Sequence, residues 1–125
     1  MMDMDRLTLR RVRQSILAVG QQYGLGYPET MYRRIATIEM NHNGHSCQAE
    51  VKIPARWDGR VLAQHSSDHL LVEDNYLLNI RALLDQPTRY DFARTKTYLN
   101  SLSLRFGLIV NFGKKQLQIY GVGPD

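Results

Sequence analysis

The spacing of apolar residues changes near residue 44, and this change limits the possible folds more than any other feature of the chain. Before it, Val12, Ile16 and Val19 recur three or four positions apart, which is the repeat of a helix with one buried face. After it, apolar residues alternate with polar ones, as in a half-buried strand, at Cys47, Ala49, Val51, Ile53 and Ala55. The chain therefore combines helices with a sheet, and purely helical or purely β folds are excluded.

Two helices joined by a glycine turn are predicted before this change. The first has apolar positions from Leu9 to Tyr23 and ends at Gly24-Leu25-Gly26, because glycine readily adopts the left-handed conformation that closes helices. The second begins at Pro28, which suits the first turn of a helix, and ends at Asn43-Gly44. A helical hairpin is the expected first unit of the fold.

A meander of three strands is predicted next, followed by a helix and two further strands. Asp58-Gly59 and Glu73-Asp74 are the expected turns of the meander. A helix with one apolar face follows Pro87, and residues 113–115 turn into the last strand. The predicted strands are residues 47–55, 61–72, 75–83, 106–112 and 116–120. The order α-α-β-β-β-α-β-β places the chain in the α/β class with a mixed (α+β) sheet.

Length and composition favour one compact domain. With 125 residues, of which 43% are hydrophobic, the chain can bury one core, and we expect a single domain over residues 1–125. No run approaches the roughly 20 apolar residues that span a bilayer, so we expect no membrane association and a cytoplasmic location. The single cysteine excludes an internal disulfide and a cysteine-based metal cluster. The net charge of +4 has the sign expected of a partner for nucleic acid, but the basic residues are dispersed.

Residues 26–32 spell G-x-x-E-x-x-Y, and the chain resembles the GxxExxY family, which is named for this motif. The similarity runs from about residue 13 to residue 120. It includes Trp57-Asp58-Gly59-Arg60, the segment 68–74, the pair Tyr98-Leu99 and the segment 107–113. The resemblance implies a PD-(D/E)XK nuclease-like, restriction-endonuclease-like fold, whose core is a helix, a three-strand meander, a helix and a further strand. The order predicted from the apolar spacing agrees with that core.

The resemblance also implies a metal-dependent nuclease site. Such sites hold Mg²⁺ or Mn²⁺ through a glutamate of the early helix, an aspartate of the second core strand and E-x-K on the third, because hard cations take oxygen ligands. Glu29 and Asp68 match the first two positions and are the expected metal ligands. Asn79 and Arg81 replace the glutamate and the lysine, and Arg94 replaces a glutamine. The implied catalytic centre is therefore degenerate.

Counting residues across the turn places these groups on one face of the predicted sheet. If Glu73 and Asp74 are the two turn residues, Asp68 lies opposite Asn79. Arg81 then lies diagonal to Asp68, and its guanidinium would take the carboxylate as a bidentate partner in the space that a metal needs. An internal ion pair is favoured over a working metal centre.

The sequence leaves three functions open. The first is an inactive nuclease-like protein that binds nucleic acid through Arg81, Arg94, Lys96 and the arginines of the first helix. The second is an active nuclease that depends on Mg²⁺ or Mn²⁺, hydrolyses phosphodiester bonds and uses Lys96 or Lys52 as a relocated basic residue. The third is a protein-interaction module, as a homodimer or with another protein, in which the polar residues form only an internal salt bridge.

Overall fold

Three helices are present in the computed structural model, which describes residues 2–113 and 116–124 and the side chains from residue 6 onward. They are α1 (Met2–Tyr23), α2 (Glu29–His42) and α3 (Arg89–Leu102). The predicted helical hairpin is confirmed, since Gly24 has a φ of +73° after α1 and Pro28 is the N-cap residue of α2. No helix in the described part of the chain is both long enough and apolar enough to cross a membrane.

Seven strands among the described residues form two separate sheets. They are β1 (Cys47–Gln48), β2 (Lys52–Trp57), β3 (Arg60–Ser66), β4 (Leu70–Val72), β5 (Tyr76–Arg81), β6 (Phe106–Asn111) and β7 (Gln118–Val122). The main sheet has the order β1-β4-β5-β6-β7, and β2 with β3 forms a two-stranded ribbon. All neighbours are antiparallel except β5 and β6, which are parallel and connected through α3. The mixed α/β class is confirmed, with the order α-α-β-β-β-β-β-α-β-β.

Two of the predicted meander strands are interrupted in the middle. The strand predicted over residues 47–55 breaks at Glu50, whose φ of +56° is incompatible with an extended strand. The strand predicted over residues 61–72 breaks at Ser67, whose backbone N–H and hydroxyl both donate to the Val51 carbonyl, at 3.0 and 2.7 Å. These two breaks separate the β2–β3 ribbon from the main sheet.

The turn between β4 and β5 contains one residue more than predicted. Val72 pairs with Tyr76, so the turn has three residues instead of two. The Asn75 N–H donates to the Val72 carbonyl at 3.1 Å, but Asn75 itself is left out of the ladder, as in a β-bulge. Every pairing predicted along these two strands, including that of Asp68 with Asn79, is therefore wrong by one residue.

The main sheet lies between two helical layers. The core toward α1 and α2 includes Val12, Ile16, Tyr32, Met40, Leu78, Val110 and Phe112. The smaller core toward α3 includes Leu77, Leu99, Ile109 and Val122. β5 is covered on both faces, as expected for a central strand beside a parallel neighbour. Because side chains alternate along β5, Asn79 and Arg81 share the face that carries Leu77 and is covered by α3.

A buried asparagine fixes the end of β6 to the loop that follows β5. Asn111 Oδ1 accepts hydrogen bonds from the Leu83 N–H at 2.8 Å and from the Gly113 N–H at 3.1 Å. A Cβ atom added at Gly113 would overlap the backbone of Leu83. Residues 114 and 115 of the predicted turn lie outside the described residues. The end of β6 and the loop that follows β5 therefore approach each other so closely at Gly113 and Leu83 that position 113 requires glycine.

We expect Gly113→Ala to lower the free energy of unfolding by about 1–3 kcal/mol, because the added methyl group must displace backbone. Gly121→Ala is the matched control, since a Cβ atom there meets nothing within 4 Å. Its effect should stay within about 0.5 kcal/mol. Urea unfolding of both variants measures the difference. Equal stabilities would contradict the close approach of the two segments.

Candidate functional site

Glu29 is the first residue of α2, and both of its carboxylate oxygens accept hydrogen bonds. Oε1 accepts from Arg81 Nε at 2.9 Å and from the Ala82 N–H at 3.1 Å. Oε2 accepts from Arg33 Nη1 at 2.9 Å, one helical turn further along α2. The start of a helix also favours a negative charge, because the backbone N–H groups there are unpaired. Glu29 therefore joins the start of α2 to the end of β5.

Arg81 ends β5 and binds carboxylates that lie on two different helices. Its Nε donates to Glu29, and its Nη1 donates to Oδ1 of Asp91 in the first turn of α3. The Asp91 side chain is only 2% exposed, and a carboxylate buried to that degree without a partner is costly. The predicted ion pair of Arg81 with Asp68 is wrong, because Asp68 precedes β4 and the register of β4 is shifted.

Asp91 is a site residue that the family resemblance does not indicate. Its Oδ2 accepts from the Thr88 N–H at 2.9 Å, and the Thr88 hydroxyl accepts from the Asp91 N–H at 3.4 Å. These bonds form a capping box at the start of α3, and they leave Oδ1 for Arg81. The spacing Thr-x-x-Asp is the signal in the sequence that predicts a carboxylate at this helix start.

His69 takes the position that was expected for Asp68. Extension of the β4–β5 register places His69 opposite Asn79, and both side chains reach Thr95 of α3. His69 Nε2 lies 3.2 Å and Asn79 Nδ2 lies 3.4 Å from Thr95 Oγ1, and all three residues are buried. Asp68 lies at the border of this group, with 39% of its side chain exposed, and its Oδ1 is 3.2 Å from His69 Nδ1.

These contacts form a chain of hydrogen bonds with one consistent direction. Asn79 donates to Thr95, the Thr95 hydroxyl donates to His69 Nε2, and His69 Nδ1 donates to Asp68, a tautomer inferred from the partners. Burial lowers the pKa of His69, which agrees with a neutral imidazole. The hydrogen bond from His69 holds the pKa of Asp68 well below its ordinary value, and two nearby arginines act in the same direction.

Arg33 lies between the two predicted metal ligands. Its Nη1 is 2.9 Å from Glu29 Oε2 and 3.7 Å from Asp68 Oδ2. The fold thus brings Glu29 and Asp68 close together, but a guanidinium occupies the place where a divalent ion would contact both carboxylates. In the described ranges, no group of three or more His, Cys, Asp and Glu side chains is arranged to hold a metal ion. The residues present do not fit Mg²⁺ or Mn²⁺.

Arg94 and Lys96, the other two predicted nucleic-acid contacts, lie on α3. The Arg94 guanidinium is 5.6 Å from the centre of the Tyr90 ring, and its Nη2 is 3.8 Å from Asp68 Oδ1. Arg94 Nε and Nη2 are buried and have no hydrogen-bond partner among the residues that the structure describes. Lys96 is half-buried. Arg94 is therefore the site arginine whose donors are least used.

Three arginines and three carboxylates form one arginine–carboxylate network at this end of the sheet. Its members are Glu29, Arg33, Asp68, Arg81, Asp91 and Arg94. Their formal charges sum to zero, so the network as a whole contributes little to the attraction of a polyanion. Its geometry instead connects α2, the end of β5 and the start of α3.

We expect Arg81→Ala to lower the free energy of unfolding by about 3 kcal/mol, because it leaves the buried Asp91 carboxylate without its cation. Arg105→Ala removes an exposed arginine outside the network and should have an effect below about 0.5 kcal/mol. Urea unfolding measures both values. If the two variants were equally stable, the network would have no part in holding the elements together.

We expect the free energy of unfolding to decrease as the pH falls below about 6.5, the ordinary pKa of histidine. Because burial lowers the pKa of His69, the unfolded chain binds a proton at a pH where the folded chain does not. The sign is the same for Asp68, whose contribution is lost only below about pH 4.

Urea unfolding at a series of pH values from about 8 to about 5 measures the slope of the free energy of unfolding against pH. The variant His69→Gln should flatten it, and His42→Gln, at an exposed histidine, should not. An unchanged slope in His69→Gln would contradict the neutral buried imidazole.

Comparison with known proteins identifies a family for this chain. The family model of the PD-(D/E)XK nuclease superfamily matches residues 6–120. No curated protein and no solved structure matches the chain. The matched residues extend from α1 into β7 and include every member of the arginine–carboxylate network, together with His69, Asn79 and Thr95. The chain belongs to the PD-(D/E)XK nuclease superfamily.

Proposed function

We propose that this chain is a non-catalytic superfamily member, of the GxxExxY type, that binds nucleic acid without cleaving it. The roles of the motif residues support this proposal. Tyr32 Oη donates to the Gly24 carbonyl at 2.7 Å and accepts from the Tyr27 N–H at 3.2 Å, which holds the turn between α1 and α2. Glu29 is held by Arg81. Both motif side chains thus connect parts of the fold.

The proposed loss of catalysis rests on one observation, which is the position of the Arg81 guanidinium between Glu29 and Asp91. Both carboxylates already accept hydrogen bonds from a cation whose charge is permanent. Asn79 contributes a neutral amide where a third negative charge would be needed. Metal-assisted activation of water therefore has no support from these side chains.

Nucleic-acid binding is supported by the charge outside the arginine–carboxylate network. Because the network is neutral, the net charge of +4 resides on the rest of the chain. At the network itself, Arg94 Nε and Nη2 make no hydrogen bond within the described residues, the contact of Nη2 with Asp68 is a long 3.8 Å, and Lys96 follows on the same helix. These two residues are the proposed phosphate contacts on α3. Arg81 is less suited to that role, because its donors are engaged by carboxylates.

We expect the purified protein to leave DNA and RNA intact in the presence of Mg²⁺ or Mn²⁺ and to bind oligonucleotides without either ion. Fluorescence anisotropy of a labelled oligonucleotide measures binding, which should weaken as salt rises because bound cations release counterions. Gel assays measure cleavage.

Glu29→Gln is the matched control for cleavage, since the amide has the shape of the carboxylate but is a poor metal ligand. Cleavage that persists in Glu29→Gln does not depend on the Glu29 carboxylate. If the unmodified chain cleaves nucleic acid and Glu29→Gln does not, the proposal that the chain is non-catalytic is wrong. The absence of binding at low salt would overturn the binding part of the proposal.

A further inference from the structure

The β2–β3 ribbon stands apart from the main sheet and ends in an exposed apolar cluster. All residues of β3 are exposed, and at the tip Trp57 is 71% and Leu62 is 67% exposed. Val61 adds a third exposed apolar side chain at the same end of the ribbon. Scattered exposed apolar residues are ordinary, but a cluster that contains a tryptophan is typical of a binding surface.

The base of the ribbon is fixed to the body of the protein, so the tip has a defined position. Ile53 of β2 is only 6% exposed, and the ring of His65 in β3 lies 6.2 Å from the ring of Tyr98 in α3. At the tip, Asp58 and Gly59 have φ angles of +52° and +75°, as in the two-residue turns that join tightly twisted strands. A tight turn on a fixed base presents the tip residues without a long flexible loop.

One face of the tip forms a shallow cleft with the chemistry of a nucleotide site. Its volume is about 350 Å³, and it is lined by Trp57, Asp58, Arg60 and Leu62. Trp57 and Arg60 are directly opposite each other in the ladder. An indole face stacks on a base, and an adjacent guanidinium binds phosphate or stacks in turn. The Asp58 carboxylate accepts a hydrogen bond from an amino group of a base.

The charge of the ribbon also favours a polyanion. The ribbon carries Lys52, Arg56 and Arg60 against the single carboxylate of Asp58. None of these three cations takes part in an ion pair within the described residues. The arginine–carboxylate network, in contrast, is neutral. Phosphate groups are therefore attracted more strongly to the ribbon than to the network.

We propose that the tip of the β2–β3 ribbon binds single-stranded nucleic acid, with one base stacked on Trp57 and a neighbouring phosphate on Arg60. This inference rests on the proposed nucleic-acid binding. It places the main contact with nucleic acid on the ribbon and not on α3. Single strands are favoured because an unpaired base offers a free face for stacking. The carboxylate of Asp58 favours cytosine or adenine, which carry amino groups, over thymine.

The test uses the only tryptophan of the chain, because its fluorescence reports binding at the tip and nowhere else. Oligo(dC) and oligo(dT) are titrated into the protein while tryptophan emission is recorded, and anisotropy of the labelled oligonucleotides measures binding at any site. We expect quenching by both, with tighter binding of oligo(dC). Asp58→Asn should remove that preference and keep the turn, because asparagine tolerates a left-handed conformation.

Variants then separate the ribbon from other surfaces by anisotropy. Trp57→Ala should weaken binding about 5- to 150-fold, and Trp57→Tyr, which keeps an aromatic face, should retain most of it. Arg60→Ala should lower the slope of log affinity against log salt by about 0.7. Tyr23→Ala, at the end of α1 with 40% exposure, is the matched aromatic control, and Arg105→Ala is the matched cationic control. Both controls should bind like the unmodified chain.

Each contrary result has a distinct meaning. Binding by anisotropy without quenching, with Trp57→Ala and Trp57→Tyr unaffected, overturns the ribbon site and leaves the proposed function intact. No anisotropy change with any oligonucleotide overturns the proposed function as well. Equal affinity for a duplex of the same sequence overturns the single-strand preference. A blue shift of tryptophan emission with rising protein concentration, together with dimers in sedimentation, makes the tip a contact between two copies and overturns the inference.

Discussion

The buried carboxylate of Asp91 needs a cation, and Arg81 is the cation that the fold supplies. Asp91 is almost fully buried where α3 begins, and its second oxygen caps that helix. Arg81 ends the central strand, and its Nε donates to Glu29 at the start of α2. Three elements are thus tied together at one end of the sheet, because an unpaired charge at that burial would cost several kcal/mol.

The permanent charge of Arg81 helps this end of the sheet to keep its shape, because it neutralises two nearby carboxylates. A divalent ion and a guanidinium both neutralise carboxylates that lie close together. A guanidinium has donors in fixed directions and does not lower the pKa of a bound water as a metal does. On the same face of the sheet, His69, Thr95 and Asn79 satisfy one another as neutral groups. The superfamily scaffold is retained, and its polar end is filled by groups that hold each other.

The helices could be predicted from the sequence because their signals are local. The apolar repeat and Pro28 located α2 to within a residue or two of its observed bounds. The strands were less predictable. Alternation of polar and apolar residues continues through Glu50, so nothing local indicated the left-handed residue that separates the ribbon from the main sheet. In the turn before β5, the bulged Asn75 shifted the register by one residue and thereby exchanged the faces of the predicted pairs.

The sequence by itself determined the mixed class of fold, the resemblance to a nuclease superfamily and the replacement of two expected catalytic residues by Asn79 and Arg81. Only the tertiary structure decided that Arg81 pairs with Glu29 and Asp91, and that His69 faces Asn79. The physical reason is distance along the chain. Arg81 and Glu29 are 52 residues apart, and a contact of that kind depends on strand register and helix placement, which no local pattern specifies.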